Sequence, residues 1–433
     1  MINDACGLSI SLIILIQYVF KCAPYCVGFD MDLINKRGNK WVLSLLPYSV
    51  AIGPLSTLIT LEIASLRGSA VDVGYAIGAG SAVGIIAPLL WGFLLDRYGS
   101  REALSLGFLG TALFILALSY APGIPQIVLY YATASLFSSA IGVSTSFILV
   151  KSSNRHDLNE SYSVLNFASS LGYLIGDVSA AVLSSFMSTE YILFIMGLLP
   201  IISFAWSLFS IPRVTNGNGS TMVKRLIGRR VRSVGTNVGE LVALYSALII
   251  FYVSSGIFNT LYPYGLRVGG LSRTWVMTII SVGMGVQIIG FMITPRMIRV
   301  LGGNARASSR ALVLRGLSYF LIGLSSITPE AMIITGLTLY PLAAGIAFST
   351  FYTASSVMVF ERLGKGEEGR GLGAYNFITG SAYLTGSLAS GYLASAVGIG
   401  GSYMIAGAML WVSSYLFEQL HRSEGVQKII NTP

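Results

Sequence analysis

Residues 161–185 read "SYSVLNFASSLGYLIGDVSAAVLSS", and residues 371–395 read "GLGAYNFITGSAYLTGSLASGYLAS". Shifted by 210 positions, the second segment falls on the first without a gap. Asn166, Phe167, Tyr173, Leu174, Gly176, Leu183 and Ser185 then meet identical residues at Asn376, Phe377, Tyr383, Leu384, Gly386, Leu393 and Ser395. Shared hydrophobicity alone does not bring Asn-Phe, Tyr-Leu and a glycine into register. Earlier in each half a shift of 203 does the same, setting Thr57 and Leu58 on Thr260 and Leu261, Gly80 on Gly283, and Gly99 on Gly302. The chain therefore carries one design twice, and repetition on this scale is read before any single element.

Each copy is built of apolar runs. Of 433 residues 54% are hydrophobic and 10% charged, and the mean hydropathy of +0.73 lies outside the soluble range. A helix needs roughly 20 mostly apolar residues to cross about 30 Å of hydrocarbon. Twelve such spans are expected, at 41–64, 72–95, 102–121, 125–149, 161–185, 190–211, 238–262, 274–295, 308–326, 331–357, 371–395 and 401–420. The runs lack the alternation of barrel strands and are too long for them, so the spans are helices. The 49 glycines suit close helix packing in lipid. The expected fold class is an all-α polytopic membrane protein.

Placing 36–40 in the cytoplasm puts 22 of the 27 Lys and Arg inside, with Arg67, Arg267 and Arg273 outside, Lys21 in the N-terminal segment and Arg315 in a span. Cytoplasmic loops carry that excess, so both main termini of a cell-membrane protein are expected inside. The net charge of +9 is then topology rather than a nucleic-acid footprint. Residues 1–40 form an N-terminal extension whose apolar part, Leu8–Phe20, is short for a span and lacks the basic flank of a signal peptide. Met31 offers an alternative start, and a thirteenth span is the other reading. Cys6, Cys22 and Cys26 all fall here, with neither a metal pattern nor a disulfide framework. Six-helix bundles are expected at 41–212 and 238–420, joined by the polar, basic linker 213–237 and followed by a cytoplasmic tail, 421–433. Six spans separate matched elements, so the halves share an orientation and form a parallel repeat about an axis normal to the membrane.

Between spans 2 and 3 lies "WGFLLDRYGSRE" (91–102), with four charges in seven positions from Asp96 to Glu102. Gly99 permits a tight turn. Asp96 can accept hydrogen bonds from a helix N-terminus or a neighbouring cation. The cluster is either a latch between helices or a charged turn that obeys the positive-inside rule. Two parallel six-helix halves, a long central loop and Gly92-x3-Asp96-Arg97-x-Gly99-x-Arg101 together resemble the major facilitator superfamily. The pattern departs at Ser100, where a basic residue is usual. The resemblance covers about residues 41–420. It implies twelve helices, alternating access, and a latch at this turn that holds the outward-facing state. The matching turn of the second half, "PRMIRVLGGNAR" (295–306), keeps Gly302 but has Arg299 where Asp96 stands.

Span 5 carries Gly172-x3-Gly176-Asp177-x2-Ala180-Ala181, similar to the Gly-x3-Gly-Pro-x2-Gly-Gly of exporters in that family. Small residues at this spacing equally serve helix packing, as Gly386 does in the other half. Span 4, at 125–149, holds no charge, so the arginine pattern of many proton-linked exporters is missing. Asp177 is placed about 7 Å beyond the midplane, taking a rise of 1.5 Å per residue from Ser161. It is the candidate proton-coupling residue, with a protonated acid bonded within the bundle as the structural alternative. Glu62 and Glu240 lie near span ends and are expected to reach water. Arg315 lies about 7.5 Å inward of Arg310 and is expected to snorkel to the interface, with an anion-binding role as the alternative. His156 and His421 fall outside the spans, so a histidine relay is unsupported.

In the family, spans 1, 4, 7 and 10 line the central cavity. Here they offer small and polar stripes at helical spacing, from which the candidate lining is Ser56 and Thr60, Tyr131 and Ser138, Tyr252, Asn259 and Tyr262, and Tyr340 and Tyr352. Tyrosines and hydroxyls with little fixed charge suit a small neutral, amphipathic or singly charged organic solute rather than phosphate or a dicarboxylate. The expected protein is a monomeric secondary transporter, with a proton as the candidate coupling ion and neither cofactor, metal nor nucleic acid as partner. No nucleotide loop or nucleophilic triad argues for an enzyme. The alternative is a passive facilitator, or a sensor of the same fold that binds without ion coupling.

Overall fold

The computed structural model describes residues 40–152, 158–210, 238–325, 328–361 and 368–430. The expectations for the N-terminal extension with its three cysteines, for His156 and for the linker 213–237 fall outside the described residues, as do the side chains of Asp96 and Glu240. The described residues are helical without strands. Those within Met1–Val223 together with Ser272–Ser281 form one compact unit, and those within Lys224–Leu271 and Val282–Pro433 form a second.

The first unit contains α1 (Leu45–Ile52), α2 (Leu55–Ser65), α3 (Ala70–Tyr98), α4 (Ser100–Ser119), α5 (Ile124–Ser152), α6 (Leu158–Leu183) and α7 (Thr189–Ser210). Trp41–Ser65 is one candidate span, as expected over 41–64, and Gly53 and Pro54 interrupt the helix within it to give α1 and α2. Pro54 has no N–H for the Val50 carbonyl, and a proline inside a helix breaks its ladder there. The α3 start is fixed by a capping box. Ser69 N–H donates to Asp72 Oδ2 at 2.7 Å, and Asp72 N–H donates to Ser69 Oγ at 3.3 Å. α3 and α4 meet at Gly99 alone, whose φ of 97° and ψ of 167° are open in practice only to glycine.

The second unit contains α8 (Val238–Val268), most of α9 (Arg273–Leu301), α10 (Asn304–Leu324), α11 (Pro329–Tyr340), a π-helical segment (Pro341–Ala347), α12 (Phe348–Glu361) and α13 (Glu368–Ile430). Gly302 and Gly303, with φ of 88° and 110°, make the turn into α10. α13 is two helices joined at Gly398, φ 78°, so the five-residue gap expected over 396–400 shrinks to one residue. Among the described residues, nine helical segments are long and apolar enough to cross a membrane. α10 is not among them, because Arg306, Arg310 and Arg315 dilute its 21 residues.

In hydrocarbon, helix association rests on close backbone approach and interhelical hydrogen bonds rather than on release of water. Both units use the same devices. In the first, α1 packs on α6 and α4 on α5 and α7. A Cβ added at Gly53 would lie 2.7 Å from the Tyr173 carbonyl, and one at Gly176 would strike the Val50 carbonyl and lie 2.9 Å from Pro54 Cδ. In the second, α8 packs on α13, and a Cβ at Gly256 would strike the Tyr383 carbonyl, one at Gly386 that of Val253. Gly80 accommodates Tyr131, and Gly283 accommodates Tyr340. Ser105 pairs with Ser207 at 2.9 Å, and Ser309 with Ser414 at 2.9 Å. Every one of these pairs recurs at a shift of 203 to 210 in sequence, which gives the repeat a physical content: the same contacts are made twice.

Candidate functional site

A cavity of about 370 Å³ lies inside the first unit, among α1, α5 and α6. Its polar lining is hydroxyls: Tyr48, Ser49, Ser138, Thr145, Ser169, Ser170 and Tyr173, with Leu45, Ile141 and Leu165 as apolar walls and no charged side chain. Tyr48 and Ser138 hydroxyls share a hydrogen bond at 2.5 Å. Thr145 Oγ1 donates to its own helix at Ile141 O, 2.8 Å, leaving its oxygen lone pairs for a guest. The hollow exists because Gly142 contributes nothing to fill it; a Cβ there meets no atom within 4 Å.

The same place in the second unit is filled. The Tyr131 and Tyr340 contacts set α5 against α11 and α12 at a shift of 209, which puts Phe351 at the position of Gly142. Shifts of 203 and 210 put Tyr252 at Ser49 and Tyr375 at Leu165. Phe251 and Phe351 rings lie 3.9 Å apart, and Tyr252 and Tyr375 hydroxyls hydrogen-bond at 3.1 Å. One copy is hollow and hydroxyl-lined, the other packed with rings.

The residues expected to line a cavity divide accordingly. Ser138 lines the first-unit cavity. Tyr131 packs on Gly80, Ser56 is exposed, and Thr60 is buried and donates to Ser56 O at 2.9 Å. In the second unit Tyr262 is fully buried, stacked between Tyr340 at 4.6 Å and Phe258 at 4.8 Å. Asn259 is exposed, and Tyr352 is 42% exposed beside Phe348. Tyr262 also lines a smaller cavity of about 250 Å³ together with Ile322, Met332 and Tyr403, and of these four only Tyr262 is expected there from sequence. Its sequence signal is Gly265 and Gly269 one helical turn apart near the end of α8.

Asp177 is 1% exposed, and its Oδ1 has no hydrogen-bond partner among the described residues. It directly follows Gly176, whose backbone is pressed on the Val50 carbonyl that Pro54 leaves without its helical donor. Gly172 faces Ser49 Cβ on the same seam. At the motif turn, Gly99 is buried with its left-handed φ, Ser100 is fully buried, Arg101 is half-buried, and Arg97 is exposed over the Tyr98 ring at 5.4 Å. A Cβ at Gly92 meets no atom within 4 Å.

Two charged residues contradict their expected places. Glu62 does not reach water: it is 7% exposed. The Thr189 hydroxyl hydrogen-bonds its carboxyl, with Arg273 close by, and Arg273 Nη1 donates to Thr189 Oγ1 at 3.3 Å. A partner from another helix makes burial tolerable where snorkelling would otherwise win. Arg315 does not snorkel: it is 2% exposed, its Nε donates to Tyr319 Oη at 2.8 Å, and its guanidinium lies 5.1 to 5.3 Å from the rings of Phe251, Phe348 and Tyr319. The helix turns this side chain inward, where rings replace water around the cation.

The Major Facilitator Superfamily model matches residues 42–353. The chain is 22% identical over 307 residues to the proton-coupled antiporter flippase LtaA of Staphylococcus epidermidis, covering 70% of this chain and 73% of that one. It is 26% identical over 98 residues to the Aspergillus fumigatus multidrug transporter mfsB, 23% of this chain and 16% of that relative's length. Among solved structures, the nucleoside transporter NupG superposes with a TM-score of 0.72 at 14% identity, covering 88% of this chain and 98% of that one. The xylose transporter XylE from E. coli gives 0.66 at 13%, with 88% and 95% covered.

Proposed function

This chain belongs to the major facilitator superfamily, and from that premise we propose that it is a secondary transporter moving a small neutral or amphipathic organic solute by alternating access. The carrying observation is the hydroxyl-lined cavity of about 370 Å³ in a multi-pass membrane protein. A site of this size with several convergent hydroxyls and no fixed charge suits a guest that hydrogen-bonds without carrying strong charge. Twelve spans in two parallel halves, 41–212 and 238–420, with both ends cytoplasmic, are the topology that goes with this reading; the contacts made twice support the pseudo-two-fold.

Asp177 is the proposed proton carrier. A buried carboxyl with an unpartnered oxygen, as Asp177 has at Oδ1, is stable only when neutral or when conformational change brings it water or a counter-charge, and a proton cycled between those conditions couples to transport. Gly92, Asp96, Arg97, Gly99 and Arg101 are the proposed latch. LtaA is named as a proton-coupled antiporter, which favours coupling; a passive facilitator is the competing reading. The experiment is uptake into proteoliposomes, with solutes chosen by a melting-temperature screen of purified protein. Coupled transport accumulates solute under an imposed pH gradient, and Asp177→Asn abolishes accumulation while sparing exchange. Equilibration indifferent to the gradient and to that substitution rejects coupling.

A further inference from the structure

We infer that Arg315 is the docking point for the single negative charge of an amphipathic organic carboxylate, bound in the second unit. The inference deepens the transporter reading and rests on it. Arg315 lies on α10, 2% exposed, with Nη1 buried and without a hydrogen-bond partner. Its Nε is satisfied by Tyr319 Oη. Among the described residues no carboxylate lies within ion-pair distance of it.

A buried cation left without a counter-charge costs several kcal/mol, and three aromatic faces offset only part of that. A protein gains nothing in stability from such a side chain; methionine or leucine would pack there without the desolvation cost. An arriving anion supplies the missing counter-charge and takes the free Nη1 donor.

The surroundings narrow the guest. One free guanidinium nitrogen favours one charge, because phosphate or a dicarboxylate would need a second cation. Phe251, Phe348 and Tyr319 give ring faces for an apolar body. Hydroxyls lead from the guanidinium to the surface. Tyr252 and Tyr383 both lie close enough to Arg315 to interact with its charge. Tyr252 bonds Tyr375 at 3.1 Å beside the exposed Tyr352, and Tyr383 bonds the exposed Asn259. The site is closed in this conformation, and parting the Tyr252–Tyr375 hydrogen bond, worth about 1 kcal/mol net, is part of its opening.

The test uses the full chain in detergent, with benzoate and cyclohexanecarboxylate set against their uncharged isosteres benzamide and cyclohexanecarboxamide. The carboxylates are expected to raise the melting temperature saturably and the amides not. R315M is expected to weaken carboxylate binding about tenfold to hundredfold, the usual worth of a hydrogen bond to a charged group, and to melt no lower than wild type without ligand. R315K keeps part of the response. Equal stabilisation by the amides, no response to either carboxylate, or a carboxylate response intact in R315M overturns the inference. If R315M does not fold, the wild-type comparison and R315K decide. Carboxylate binding through Arg315 without uptake in proteoliposomes removes the transporter reading alone. Uptake that carboxylates never compete for removes the docking role alone.

Discussion

Three helical glycines, changed one at a time to alanine, should move stability in opposite directions. At Gly176 the new methyl strikes the Val50 carbonyl and comes within 2.9 Å of Pro54 Cδ. Both are rigid: one is backbone and the other a ring locked to it, so α1 and α6 must separate. Overpacking costs typically 1–3 kcal/mol, and against rigid backbone the upper part of that range, about 2–3 kcal/mol, applies; less the roughly 1 kcal/mol that alanine gains over glycine in a helix, the net loss is roughly 1–2 kcal/mol. At Gly92 and Gly142 the methyl meets nothing within 4 Å, so only the helix preference remains, a gain of up to about 1 kcal/mol. The assay is thermal unfolding of the purified variants in one detergent, followed by tryptophan fluorescence or light scattering. The expected order of midpoints is Gly176→Ala below wild type, with Gly92→Ala and Gly142→Ala at or above it. A Gly176→Ala protein as stable as wild type, or one that outlasts Gly92→Ala, would refute the close-approach seam.

At the motif turn, Gly99→Ala forces an alanine into a glycine-only backbone and should cost about 1–3 kcal/mol, read as a lower melting temperature. Asp96→Asn leaves that backbone alone and should slow transport without lowering stability; unchanged transport would reject the latch. Gly142→Phe copies Phe351 of the second unit into the first-unit cavity. It should abolish uptake and the stabilisation given by uncharged solutes while leaving the unliganded melting temperature and the Arg315-dependent carboxylate response near wild type, and persisting uptake would move the solute site elsewhere. For Asp177→Asn the decisive reading is the ratio of accumulation to exchange, which falls toward that of passive equilibration.

The sequence alone determined the membrane-spanning helical class, the doubling of the chain and the turn at Gly99. Hydrocarbon length, positional identity and backbone stereochemistry are properties of the chain itself. It also marked Gly172, Gly176 and Gly386 as small residues on helical seams, though not which carbonyls press on them. The tertiary structure alone decided where each polar side chain points. A stripe at helical spacing names a face, but the neighbour across that face decides whether it becomes cavity wall, as for Ser138, a packed seam, as for Tyr131 against Gly80, or exposed surface, as for Asn259. The fate of Glu62 and Arg315 turned on partners from other helices: Thr189 and Arg273 for the one, and the rings of Phe251 and Phe348 for the other, which join Tyr319 one turn along its own helix. Burial of a charge depends on what another helix brings to it, and one helix's sequence does not contain that information.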